Sequence, residues 1–399
     1  MISAQTPSTA PSTRPTPYRS AGSLWRSHAI AAVAAVLVSA TPACPRLNAQ
    51  NITAALPNTR LVLEREIGSE SGPEEYSFGM IADVAVDGKQ SVYVLDVMAA
   101  NIKVYDAAGI YVRSFGRSGA GPGEFVRPLK IQADSVVRVL DMAQNRISVF
   151  GLDGQLRETV RLPSVRGINV TTVFQLRNGK LIASTTPGLS WGSPAHQESV
   201  TVFLENPGTF EIDTLLTYHS GATIWYVPNR PAPWGVADAD FGPGGGWTLN
   251  DSLIALVDGY AATVRWYRIA PGGLELRREE RLPFESRAVS HADLGHVKRA
   301  FRESRERIGQ TLPAFELQAP RRWSVGTGAF FASDGGLWIR NGRSSDRQEV
   351  WTVFPASGAA PRVLTLPGAF SLRVATPDRL YGVWAMEAGT QVVRVYAWR

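Results

Sequence analysis

Cysteine is almost missing from this chain: of 399 residues, only Cys44 is one. It falls within the first fifty residues, so the remainder has no internal disulfide, no thiol nucleophile and no thiolate metal ligand. Histidine is nearly as scarce. Beyond residue 50 there are His196, His219, His291 and His296, all in loops or in an insertion. An apolar run long enough to cross a bilayer is lacking too. The longest, "AIAAVAAVLVSATPA" (29–43), is Ala- and Val-rich and short of the roughly twenty residues a span needs. The excess of positive charge is also less than it first looks. Lys and Arg number 41 against 35 Asp and Glu, but Arg14, Arg19, Arg26 and Arg46 precede residue 50 with no acid among them, which leaves 37 against 35. A nucleic-acid binder keeps a basic stripe on its folded part, so no nucleic-acid partner is expected.

The first fifty residues have the composition of an address. A Ser, Thr and Pro-rich stretch leads to Arg26 and His28, then to the short apolar run and small residues. Residues 1–49 are expected to be a signal peptide and disordered tail, with cleavage after Ala49 in "LNAQ". An alternative is lipidation of Cys44 in "TPAC", although Thr41 stands where such sites prefer Leu; membrane contact is expected only in that case. Either route makes the protein exported, to the periplasm or beyond the cell.

What is present is repetition. "VYVLDVMAANIKVYDAAG" (92–109) and "VRVLDMAQNRISVFGLDG" (137–154) align without a gap at a spacing of 45 residues. The alignment matches Asp96 to Asp141, Ile102 to Ile147, Tyr105 to Phe150 and Gly109 to Gly154. Fainter copies follow at 181–208, 253–273, 337–358 and 380–399. Each is a β-branched and aromatic run, a polar turn and a second alternating run, which is the pattern of a β-hairpin. A further strand precedes each hairpin, as in "IADVAVD" (81–87), and an outer one follows it, as in "YVRSFG" (111–116) or "LRETVRLP" (156–163), which makes four strands per unit. Repeated four-stranded antiparallel units of this length predict an all-β, six-bladed β-propeller over residues 60–399. "RLVLEREIG" (60–68) has no hairpin of its own, while the last copy lacks an outer strand. The first is expected to complete the last blade and close the ring.

"GRSGAGPGEF" (116–125) has the glycines of a phosphate loop but lacks its context. Gly116 ends a strand, "EFVRPLKIQ" continues as strand, and no Lys-Ser or Lys-Thr follows. "GSESGPEEY" (68–76) occupies the same place before blade one, aligning Gly72-Pro73 with Gly121-Pro122 and Tyr76 with Phe125. Both segments are expected to be joints between blades, with Gly121 in a conformation that a side chain would penalise. One stretch breaks the β pattern. "SHADLGHVKRAFRESRERIG" (290–309), between blades four and five, has Ser290 as N-cap and Asp293 three residues later. Leu294, Val297, Phe301 and Ile308 lie on one helical face, and Lys298, Arg299, Arg302, Arg305 and Arg307 cover much of the rest.

The Asp-x-x-x-Asn-Arg-Ile run (Asp141, Asn145, Arg146, Ile147) and the Gly-Pro-Gly-Glu-Phe joint (121–125) resemble the NHL-repeat type of six-bladed propeller, common among exported bacterial proteins. The resemblance is strong over blades one and two and faint beyond; in blade one Asn101 stands where blade two has Arg146. It implies the fold rather than one activity, because such propellers include scaffolds, binding domains and a few lyases and lactonases. In the enzymatic ones, the resemblance implies a divalent cation in the axial channel. Asp96, Asp141 and Asp258 recur as such ligands would, but an Asp at a hairpin turn ordinarily accepts from nearby backbone N–H groups. Asp83, Arg127, Trp191, His219, Trp234, Asp238 and Asp240 are the candidates for a ligand site at the channel side. Trp191, Trp225 and Trp234, beside Pro and Gly, suit a carbohydrate or peptide surface. The expectation is a monomeric, cofactor-free binding or scaffold module for a protein, peptide or carbohydrate at one end of the propeller. The alternative is a metal-dependent lactonase- or lyase-like enzyme with Ca²⁺ in the channel.

Overall fold

Alternation of apolar residues on short strands builds, among the described residues, six sheets of four or five strands. The computed structural model describes residues 46–47, 60–162, 170–175, 181–185, 199–205, 212–219, 223–226, 235–237, 245–250, 252–270, 273–307, 309, 311, 314–318, 321–326, 328–344, 348–387 and 389–398. Of the expected leader (1–49), only Arg46–Leu47 is among them; Cys44 lies outside.

Blade one consists of Ile81–Val86, Val92–Asp96, Asn101–Tyr105 and Tyr111–Phe115, from the innermost strand outwards. Blade two repeats it with Pro128–Ala133, Val136–Asp141, Arg146–Gly151 and Leu156–Arg161. Blade three has Val170–Gln175, Leu181–Thr185, Ser199–Glu205 and Ile212–His219; blade four has Gly245–Leu249, Leu253–Asp258, Thr263–Ala270 and Gly273–Arg281. Blade five has Gly328–Phe331, Leu337–Ser344, Glu349–Phe354 and Arg362–Leu366, and Arg46–Leu47 adds a short parallel pairing to its second strand. Blade six takes Phe370–Ala375, Arg379–Ala385 and Gln391–Trp398 from the C-terminus and Leu61–Ile67 from the N-terminal side. That last strand pairs antiparallel with Gln391–Trp398, from Leu61 opposite Trp398 to Ile67 opposite Val393. The ring closes as the hairpin count requires. Arg379 to Glu64 at 2.8 Å and Arg394 to Glu66 at 2.7 Å tie the two ends further.

Strand alternation sends successive side chains to different interfaces. Val92 and Val94 pack towards blade six, with Ile67, Val383 and Val393. Tyr93 and Leu95 pack towards blade two, with Ile131, Val137 and Phe150. Both faces are apolar because both are covered. Equivalent cores fill the interfaces between blades three and four, four and five, and five and six. Trp247, Trp266, Trp338 and Trp351 are buried in them.

Two ends of the ring follow from the strand order. The turn between the second and third strands of each blade lies at the same end as the connection from outermost strand to next innermost strand. At this joint end, Asp96 accepts from the N–H groups of Gly79, Met80, Met98 and Ala99. Asp141 does the same for Val126, Arg127, Ala143 and Gln144, and Asp258 for Tyr260 and Ala261. The recurring aspartates are therefore turn and joint anchors.

The joint itself contains no anion cradle. Its carbonyls, not its N–H groups, converge: Arg146 donates to the carbonyls of Ala120, Gly121 and Glu124, and Gln144 to those of Gly119 and Glu124. Phe125 is fully buried and packs on Phe150 at 6.0 Å, and Tyr76 meets Tyr105 at 5.5 Å in the equivalent place. In blade one Lys103 does the work of the missing arginine. Its ammonium, on a residue only 7% exposed, donates to the carbonyls of Glu74 (2.7 Å) and Ser77 (2.6 Å). The expectation for Gly121 fails: the glycines with positive φ are Gly116 (83°), Gly119 (153°) and Gly123 (74°). A Cβ on Gly116 would overlap the Phe125 ring.

The helix, α1 (His291–Glu306), starts with a reciprocal capping box. The Ser290 N–H donates to Asp293 at 2.8 Å and the Asp293 N–H to Ser290 Oγ at 3.2 Å. Val297 is buried, and Phe301 packs edge-on to Phe315 at 5.7 Å. Arg299, Arg302 and Arg307 are exposed.

Candidate functional site

Six innermost strands line the axis, and their sequences hold little charge. Among IADVAV, PLKIQA, VTTVFQ, GGWTL, GAFF and FSLRVA, the ionisable residues are Asp83, Lys130 and Arg373. The ring brings all three to one point. Lys130 Nζ lies 3.6 Å and Arg373 Nε 3.5 Å from the Asp83 carboxylate, and the Ile131 N–H donates to it at 3.3 Å. Blades six, one and two each contribute one charge. Asp83 and Lys130 hold equivalent places, opposite Leu95 and Leu140 on their second strands. Asp83 is 6% exposed, whereas the Lys130 side chain is 60% exposed.

The other expected site residues separate. Arg127 is an exposed residue of the joint into blade two, its N–H on Asp141 and its carbonyl accepting from Met142. His219 ends the outermost strand of blade three, opposite Ser199, and so does not belong to the axis-lining strands. Its place follows from the strand order of the blade, which sequence position alone did not show. Trp191, Trp234, Asp238 and Asp240 lie outside the described residues. Among the described residues no group of three or more His, Cys, Asp or Glu converges as metal ligands would.

A second structure stands at the joint end, which the sequence pattern did not reveal. The chain between blades three and four and the chain between blades four and five meet in a three-stranded sheet. Thr223–Tyr226 is central, with Gly235–Ala237 on one side and Glu316–Gln318 on the other; Trp225 lies opposite both Gly235 and Leu317. Two insertions, each too short to hold a sheet alone, are joined by backbone hydrogen bonds.

Helix α1 belongs to the later insertion and is fixed to the rest of it by an ionic latch. Arg287 forms a two-bond pair with Asp293 at 2.8 and 3.0 Å, and its guanidinium lies 4.6 Å from the Trp323 ring centre. The Trp323 indole N–H donates to the same carboxylate at 3.3 Å. The Arg287 hydrogen bond, with the Ser290 donors, holds the Asp293 carboxyl well below the usual carboxylate range. In the joint, the Gly121 N–H and Arg117 likewise lower the Glu124 carboxyl.

Residues 70–214 match a family described as a 6-bladed beta-propeller. No curated protein matches the chain. Among solved structures, a Bacteroides fragilis protein whose name marks it as a candidate for export superposes with a TM-score of 0.50 at 12% identity, over 89% of this chain and 98% of that one. A gluconolactonase of Xanthomonas campestris gives 0.43 at 11% identity, over 89% and 94%. A streptogramin B lyase gives 0.41 at 11%, over 86% and 99%. At these identities the likeness is one of fold. Among the described residues no helix is long and apolar enough to cross a membrane.

Proposed function

From a six-bladed β-propeller with an extra sheet on one end, we propose an exported binding module that takes a protein, peptide or carbohydrate at the joint end. The observation that carries this is the sheet built from two separate insertions. The ring is already closed by Leu61–Ile67 and does not need it. Structure added at one end of a closed ring is a platform, and platforms on rigid scaffolds are where recognition residues sit. The latch of Arg287, Asp293 and Trp323 adds rigidity there, which lowers the ordering cost of binding.

The test is a screen of the purified protein on glycan and peptide arrays beside Trp225→Ala and Arg287→Ala. Saturable binding by the wild type that weakens in these variants, with the thermal melt of the ring retained, supports the module. Calcium-dependent turnover of a lactone or ester, abolished by a chelator, would replace it with the lactonase- or lyase-like enzyme.

A further inference from the structure

Charges around Asp83 do not balance. One carboxylate faces two cations, and neither contact is closed: at 3.6 and 3.5 Å both exceed the roughly 2.7–2.9 Å of a charge-assisted hydrogen bond. Arg373 Nε is buried and has no hydrogen-bond partner. Lys130, 60% exposed, presents its ammonium to whatever enters the axis. No other ionisable side chain stands on the innermost strands, so the axial lining carries one net positive charge, concentrated where blades six, one and two meet.

We propose that Lys130 and Arg373 form a binding site for a compact oxyanion, the carboxylate or phosphate group of a small ligand, with Asp83 as its internal competitor. Asp83 holds the two cations in place when the site is empty. An entering oxyanion takes the ammonium hydrogens of Lys130 and pairs with the charge of the Arg373 guanidinium, on a side chain that is 29% exposed. The donor set does not suit a divalent cation at this point, because calcium takes six to eight oxygens and here a single carboxylate is already shared with two positive groups. This site is separate from the platform and does not depend on what the platform binds.

Calorimetric titration of the full chain with inorganic phosphate, with glucuronate and with neutral glucose tests the assignment. One or both anions should saturate a single site, glucose should not, and added sodium chloride should weaken the binding. Lys130→Gln and Arg373→Gln should each reduce affinity about tenfold or more. Asp83→Asn should raise it about threefold, since removing a like charge several ångströms away is worth that much even at water's dielectric constant. Binding of phosphate alone assigns a phosphate group, and of glucuronate alone a carboxylate. Failure of both anions to saturate, or unchanged affinity in Lys130→Gln, overturns the proposal. Because Lys130 is an exposed side chain, that variant decides the matter even if Asp83→Asn fails to fold. Trp225→Ala should leave the anion affinity unchanged, which separates this result from the fate of the platform.

Discussion

At the scale of single residues, three hairpins make the same bend and meet its strain differently. The fourth residue after the anchoring aspartate has positive φ in each: Ala100 (51°), Asn145 (49°) and Ala262 (54°). A side chain in that region costs an L-residue about 1–2 kcal/mol, and Asn tolerates it best after Gly. Asn145 also donates weakly to the Leu162 carbonyl at 3.4 Å, while its own carbonyl accepts from the Leu162 N–H. Leu282 makes that same backbone bond to Ala262. Ala262→Asn should therefore stabilise the protein by about 0.5–1 kcal/mol, read as a higher urea midpoint at unchanged slope. The joint glycines divide in the same way. Gly116→Ala should cost about 2 kcal/mol or more, from positive φ together with overlap on Phe125. Gly121→Ala should cost well under 1 kcal/mol, because its φ is ordinary and its new neighbour is the end of the Glu124 side chain. Equal losses in the two variants would contradict this account of the joint.

At the scale of elements, α1 depends on one carboxylate. Asp293 serves the capping box, the Arg287 pair and the Trp323 indole at once. Its pKa is lowered in the folded state, so its stabilisation is complete above the unfolded value of about 3.9 and is lost as pH falls below that. Asp293→Asn should destabilise the helix by about 1 kcal/mol near neutral pH. The difference between wild type and variant should shrink between about pH 4 and pH 2, as the carboxyl of the unfolded chain takes up a proton while the folded one still holds its charge. Circular dichroism melts over that range check it. A gap that stays undiminished from about pH 4 to pH 2 would show that charge is not the cause. The joint of blade one offers a comparison, since there Lys103 replaces the arginine and reaches its two carbonyls from a buried position.

At the scale of the whole molecule, closure decides whether the ring has an edge. Leu61–Ile67 covers the outer side of Gln391–Trp398, and Ile67 is fully buried between blades six and one. Deleting residues 60–68 removes that side chain and leaves a strand with unpaired N–H and C=O groups. The loss of Ile67 alone is worth about 2–5 kcal/mol. The truncated protein should melt at markedly lower temperature or aggregate, seen by scanning calorimetry and light scattering. An unchanged melt would mean that blade six stands on three strands.

The sequence by itself determined the ring. A 45-residue repeat with period-two alternation leaves few folds that bury both faces of every sheet, and a spare first strand with an incomplete last blade implies closure. The anchoring role of Asp96 and Asp141 was also legible, since turn chemistry is local. The site was not. Asp83 was recognisable as a charge on an innermost strand, but Lys130 and Arg373 lie 47 and 290 residues away along the chain. Only the circular order of the blades makes them neighbours. The platform was hidden for the same reason: Trp225 and Leu317 pair through backbone groups, which every residue carries and no composition reveals. Local chemistry wrote the blades, and long-range geometry decided where their charges meet.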